Sequence, residues 1–159
     1  MSTISELSAI CAERNLDELD ELERRRRIVA LIRGGADVNS SDKNGVTALH
    51  HAVRFRFPVA VQVLIEHGAN VNQVCRKSGS TPLHRAVTST GAPGTAGKQQ
   101  EAIEIIRLLM AAGADPLIKN KSGRTPADYV KNEAVKSLFK PSLKNQSGKR
   151  ATAPSTTNK

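Results

Sequence analysis

Residues Gly91 to Gln100 read GAPGTAGKQQ, three spaced glycines leading to a lysine. Nucleotide-phosphate loops use that composition to bring backbone N–H groups and one ammonium onto an anion. Such a loop also needs a strand before it, a helix after it, and a Gly-x4-Gly-Lys-Ser/Thr order. Here five residues separate Gly91 from Gly97, and Gln99 stands where the magnesium-binding hydroxyl belongs. Spacing and chemistry therefore both count against a nucleotide-binding enzyme built on Gly91–Lys98. His50, His51 and His84 invite a metal, but no cysteine or carboxylate joins them at ligand spacing. No nucleophile sits in a strained elbow motif and no carboxylate pair is specially placed, so neither catalysis nor a cofactor is expected. Cys75 has Arg76 and Lys77 beside it, and cationic neighbours lower a thiol's pKa. An ordinary loop cysteine and a reactive thiol are both open for it. Finally, DELDELERRRR, Asp17 to Arg27, resembles a nuclear-targeting or nucleic-acid patch. Its acids precede its arginines on one expected helix, which favours internal i,i+4 neutralisation instead.

Charge and composition narrow the classes further. The 159 residues carry a formal charge of +9, unevenly distributed. Residues 1–23 hold seven acids against one arginine, residues 24–139 are net +10, and residues 140–159 add five basic groups and no acid. Such asymmetry speaks to partners rather than to fold. With three phenylalanines, one tyrosine and no tryptophan, the chain lacks the stacking platforms of single-strand readers, so a nucleic-acid partner is the secondary reading. No apolar run approaches the roughly 18 residues of a membrane span, and no basic start leads into an apolar stretch. Two distant cysteines, Cys11 and Cys75, suit a reduced compartment: the cytoplasm, the nucleus, or a host cytosol if the protein is a secreted effector. The C-terminal stretch 141–159 has almost no apolar content and is expected to be a disordered basic tail.

Three phrases recur in step and imply the elements that position these side chains. GGADVN at Gly34–Asn39 returns as HGANVN at His67–Asn72 and AGADPL at Ala112–Leu117. GVTALHHAV from Gly45 returns as GSTPLHRAV from Gly79 and, clipped, as GRTPADYV from Gly123. Before each Gly-Ala pair lies one apolar helical stripe: Ile28, Leu31, Ile32; Val61, Leu64, Ile65; Ile106, Leu109, Met110. Thr47, Thr81 and Thr125 stand at helix N-cap positions, with Pro82 and Pro126 at the first helical residue. Gly68 and Gly113 fall just past a second helix, where φ is commonly positive. Each unit thus reads as a turn and two helices, too small to bury its own stripe unless copies stack.

The pattern resembles the ankyrin repeat, carried most fully by Gly79-Ser80-Thr81-Pro82-Leu83-His84 with Ala86 following. Asp42 and Gly45 hold the family's hairpin-turn positions, and the likeness covers about residues 24–139. It implies an all-α solenoid of stacked helix-turn-helix units with short hairpin loops, about four including irregular caps. The expected divisions are a degenerate cap at 1–39, repeats at 40–72 and 73–117, and a shortened cap at 118–140. Gly45 to Gly68 spans 23 residues and Gly79 to Gly113 spans 34, so GAPGTAGKQQ lies in an insertion near 89–100, between the helices of the third unit. Loop closure grows only logarithmically in cost, about 0.6 kcal/mol per doubling, so the stack tolerates it. The resemblance gives His50 and His84 a structural role, bonding neighbouring backbone.

The resemblance also implies protein binding through hairpin tips and first helices. Carried over by position, these are Lys43, Asn44, Val46, Arg54 and Phe55 in the second unit. They are Arg76, Lys77, Ser78, Ser80, Thr88 and Ser89 in the third, and Lys121, Ser122 and Arg124 in the fourth. Every tip carries a cation, and stacking would line them into a basic ridge. Arg56-Phe57 replaces the family's Gly-His turn, leaving Phe55 and Phe57 at exposed or turn positions among arginines. Aromatics flanked by arginine are the composition of an interface hot spot. The expectation is a non-catalytic interaction module, monomeric when unbound, with an acidic protein segment as partner.

Overall fold

A computed structural model describes residues 3–12, 21–88 and 98–144. Among them are seven α-helices: α1 (Thr3–Ala12), α2 (Glu21–Arg33), α3 (Ala48–Phe55), α4 (Pro58–Glu66), α5 (Pro82–Thr88), α6 (Gln99–Ala111) and α7 (Glu133–Lys144). Pro126–Tyr129 forms a 3-10 turn, and the only strand-like pairing among the described residues is one antiparallel bridge, Ser41 with Thr47. The helices form two rows. α1, α3, α5 and the 3-10 turn pack successively as the inner row, and α2, α4 and α6 as the outer. This is the all-α stack of helix pairs that the three repeated phrases imply.

Local chemistry fixes each helix before packing does. Thr47 caps α3: the His50 N–H donates to Thr47 Oγ1, while the Thr47 N–H donates back to His50 Nδ1 at 3.2 Å. Thr81 and His84 repeat the arrangement at the start of α5. In the fourth unit Asp128 takes histidine's place, accepting from Thr125 N–H and Oγ1, and the segment tightens into a 3-10 turn that ends at an extended Val130. The repeated phrase implies a first helix there. Only one turn forms because just six residues separate Thr125 from Asn132, which already opens α7 by accepting from Ala134 N–H. Gly68 and Gly113 have φ of 85° and 89°, as a left-handed residue closing α4 and α6 requires.

The apolar stripes meet between the rows. Ile28, Val61, Leu64, Ile106 and Leu109 are fully buried, with Leu31, Ile32, Ile65 and Met110 packed at the margin. Each such side chain contributes about 1.5–3 kcal/mol of burial. Val135 and Phe139 of α7 extend this core to the C-terminal end. Polar bonds also tie successive units together. Asn39 donates to Gly68 O at 3.0 Å and accepts from Asn70 N–H; Asn72 does the same with Gly113 O and Asp115 N–H.

Part of the arginine run is drawn into this packing, while Arg26 and Arg27 stay exposed. Arg24 is buried with its guanidinium 3.5 Å from the centre of the Phe57 ring. Arg25 bonds Glu66 of α4 at 3.0 Å, and Arg26 lies 3.9 Å from Glu23 one turn earlier. Phe57 is therefore no exposed aromatic: it packs on the core beneath Arg24, which the sequence reading did not foresee. The acids Asp17 to Asp20 lie outside the described residues.

Candidate functional site

The hairpin tips are joined into one row by their own backbone. Arg76 N–H donates to Asn44 O at 2.6 Å, and Lys121 N–H donates to Ser78 O at 3.0 Å. Within each tip, an acceptor side chain organises the turn. Asp42 Oδ1 receives Asn44 N–H and Val46 N–H, and Asn120 Oδ1 receives Ser122 N–H and Arg124 N–H. The third tip has Cys75 at the same place, its N–H bonded to Ser80 O as Asp42 is to Val46 O and Asn120 to Arg124 O. Its sulfur lies 2.9 Å from Ser78 Oγ and is buried. Burial pushes the thiol up, but hydrogen bonds from Ser78, the Ser80 backbone and Arg85 outweigh it and bring the pKa down to about 7. A cradle built for an anionic or amide oxygen here holds sulfur, which is why Cys75 is neither surface nor ordinary loop.

This framework holds Lys43, Arg76, Lys77, Lys121 and Arg124 along one edge, all exposed, with Lys119 beside the last two. Asn44, Ser78 and Ser122 are exposed at the tips, while Val46 and Ser80 are half-buried. The hydroxyls of Ser78, Ser80 and Thr88 are already engaged. Ser78 Oγ bridges Cys75 and Ser80 Oγ, and Thr88 Oγ1 donates to His84 O at 3.0 Å. Arg54 is exposed on α3, its guanidinium 5.7 Å from the Phe55 ring; Phe55 is half-buried and stacks on Phe57 at 6.5 Å. Arg124 lies 5.8 Å from the Tyr129 ring. Ser89 and the Gly91–Gly97 segment lie outside the described residues.

Behind the tips the two capping histidines bridge units. His50 Nε2 lies 3.3 Å from Ser80 O, and His84 Nε2 lies 3.0 Å from Arg124 O. With Nδ1 accepting from the threonine N–H, Nε2 carries the proton and donates to these carbonyls. Burial, aided by the Arg85 charge, pushes His50 down to about 4; burial likewise lowers His84. Both are neutral structural links, in the role the resemblance implies.

Sequence reasoning missed Arg85. It follows Thr81 by four residues as His51 follows Thr47, so both face the same side of the inner row. Half-buried behind the tips, its charge adds to the burial that depresses His50 and His51, and to the Val46 and Asn44 backbone bonds that lower Asp42. Helical spacing from the caps was the signal that could have found it. Arg56 was also missed. It adopts φ 60° and donates from Nη1 to Lys98 O at 2.9 Å, at the start of α6. Among the described residues no three His, Cys, Asp or Glu side chains gather to hold a metal, and no helix is long and apolar enough to cross a membrane.

Comparison with known proteins agrees with this geometry. The family model "Ankyrin repeats (3 copies)" matches residues 23–120. The chain is 31% identical over 122 residues to human BCL-6 corepressor-like protein 1, covering 77% of this chain and 6% of that protein. It is 35% identical over 107 residues to mouse Rabankyrin-5, covering 66% of this chain and 9% of the relative. The chain thus spans less than a tenth of either relative. The crystal structure of the ankyrin repeat domain of Bcl-3 superposes with a TM-score of 0.63 at 31% identity, over 75% of this chain and 47% of that one.

Proposed function

The chain belongs to the ankyrin-repeat family, and on that premise we propose that it is a non-catalytic module binding an acidic protein segment. Ankyrin repeats are protein-interaction modules; the finer reading concerns what this one binds. The observation that carries it is the hydrogen-bonded row of tips, which holds exposed cations of three successive units in fixed register. A row of like charge raises the local concentration of an oppositely charged partner and speeds encounter. Half-buried Phe55, beside Arg54, supplies apolar anchorage at the inner edge of the same surface. The proposed setting is the cytoplasm or nucleus, supported by two unpaired and buried cysteines.

The test is the association rate of a synthetic acidic peptide with wild type and with the combined Lys43→Glu, Lys77→Glu, Lys121→Glu variant, across a salt series. Wild type should associate fast at low salt and slow steeply as salt rises; the variant should be slower by about tenfold, with a flat salt response. An unchanged rate would refute the basic ridge. Tighter, salt-steep binding of a mixed-sequence DNA duplex than of the peptide would instead favour a nucleic-acid partner.

A further inference from the structure

The row of tips repeats one backbone contact and stops a rung short. In both bonds the acceptor is the residue before the tip glycine: Asn44 before Gly45, and Ser78 before Gly79. The glycine is required because the incoming backbone fills the room of a side chain. A Cβ at Gly45 would meet Arg76 N at 3.0 Å, and one at Gly79 would meet Lys121 N at 2.8 Å. Ser122 and Gly123 repeat the pair in the fourth tip, with Gly123 at φ 71° beside 72° and 69° for the other two. Yet nothing lies within 4 Å of where its Cβ would stand. Among the described residues the Ser122 carbonyl accepts no backbone hydrogen bond. An exposed, shaped backbone acceptor at the end of a ladder is a template for another chain.

Charge selects the occupant. Exposed Lys119, Lys121 and Arg124 belong to the same tip as the open rung, while Asp128 is engaged by Thr125. Residues 145–159 bring Lys149, Arg150 and Lys159 and no acid, so like charge opposes their covering it. We infer that the fourth tip is a docking end for an acidic, extended protein segment, whose backbone N–H donates to the Ser122 carbonyl and whose carboxylates meet Lys119, Lys121 and Arg124. This rests on the ridge proposed above and names where along it the segment is held.

The test uses the full chain and an acetylated eight-residue peptide of alternating glutamate and valine, read by fluorescence anisotropy. Gly123→Asn adds a Cβ into empty space, and asparagine tolerates left-handed backbone better than other side chains, so the melting temperature should fall only slightly. Peptide binding should weaken about tenfold or more, because the new Cβ occupies the place of the donor. A peptide N-methylated on alternate residues should lose affinity on wild type by a similar factor; should Gly123→Asn unfold the protein, this arm carries the test alone. If charge reversal weakens the peptide but N-methylation and Gly123→Asn do not, the docking end is wrong and the ridge stands. If wild type does not bind the peptide, both fall. A concentration-dependent dimer in sedimentation, abolished by Gly123→Asn, would assign the end to a second copy and overturn the acidic segment.

Discussion

At the scale of single residues, the histidine that caps a helix also decides how the protein responds to acid. His50 is held near 4 by burial, whereas an unfolded histidine titrates at 6.5. Between those values the unfolded chain takes a proton that the folded chain refuses, so stability falls as pH drops through this window, by roughly 3 kcal/mol at pH 4. Denaturant unfolding from pH 7 to pH 4.5 should show this loss. His50→Gln, which keeps a capping acceptor but does not titrate, should flatten the slope. Cys75 acts in the same direction in a higher window. Its thiol lies at about 7 in the folded chain against an ordinary 9.0, so it contributes stability that grows as pH rises through that interval and is lost as pH falls through 7. Relative to Cys75→Ala, wild type should gain midpoint between pH 7 and pH 9; parallel curves would show that the sulfur is not held as an anion. The threonine and histidine positions were legible in the repeated phrases. The role of Cys75 was not, because the third tip carries one extra residue that hides its equivalence to Asp42 and Asn120.

Within and between helices, the contacts that locate α6 and α2 join residues far apart in sequence. Arg56 stands where the family's turn has glycine and accepts left-handed backbone, a strain of about 1–2 kcal/mol. In return its guanidinium reaches Lys98 O, a charged hydrogen bond of about 1.5–3 kcal/mol. Arg56→Gly should therefore cost a net of about 1 kcal/mol despite relieving the backbone, and amide exchange should quicken in the first turn of α6, at Ala102 and Ile103. Stabilisation, or unchanged exchange, would contradict this account. Caps and stripes could be read from the sequence because they obey local periodicity. The Arg24–Phe57 and Arg56–Lys98 contacts could not, since they depend on how one unit settles on the next.

For the whole molecule, stability resides in the seams between units, so defects should be felt across the stack. Gly79 lies at such a seam. Gly79→Ala sets a Cβ 2.8 Å from Lys121 N and strains a left-handed backbone, so it should cost roughly 2 kcal/mol or more in urea unfolding. A cost no larger than that of Gly123→Asn would show that the row of tips contributes little. The number and order of helices followed from the spacing of three phrases. The basic edge was also foreshadowed, but its rigidity was not, because a backbone bond from Arg76 to Asn44 leaves no trace in residue type.

The Arg56 bond to Lys98 has one more consequence. Thr88 finishes α5 on its own carbonyls and Lys98 is fastened from the neighbouring unit, so the residues joining them link two points already fixed by others. Foreign sequence grafted at that junction, an epitope tag or a protease site, would inherit firm anchorage at both borders without asking the helices to move.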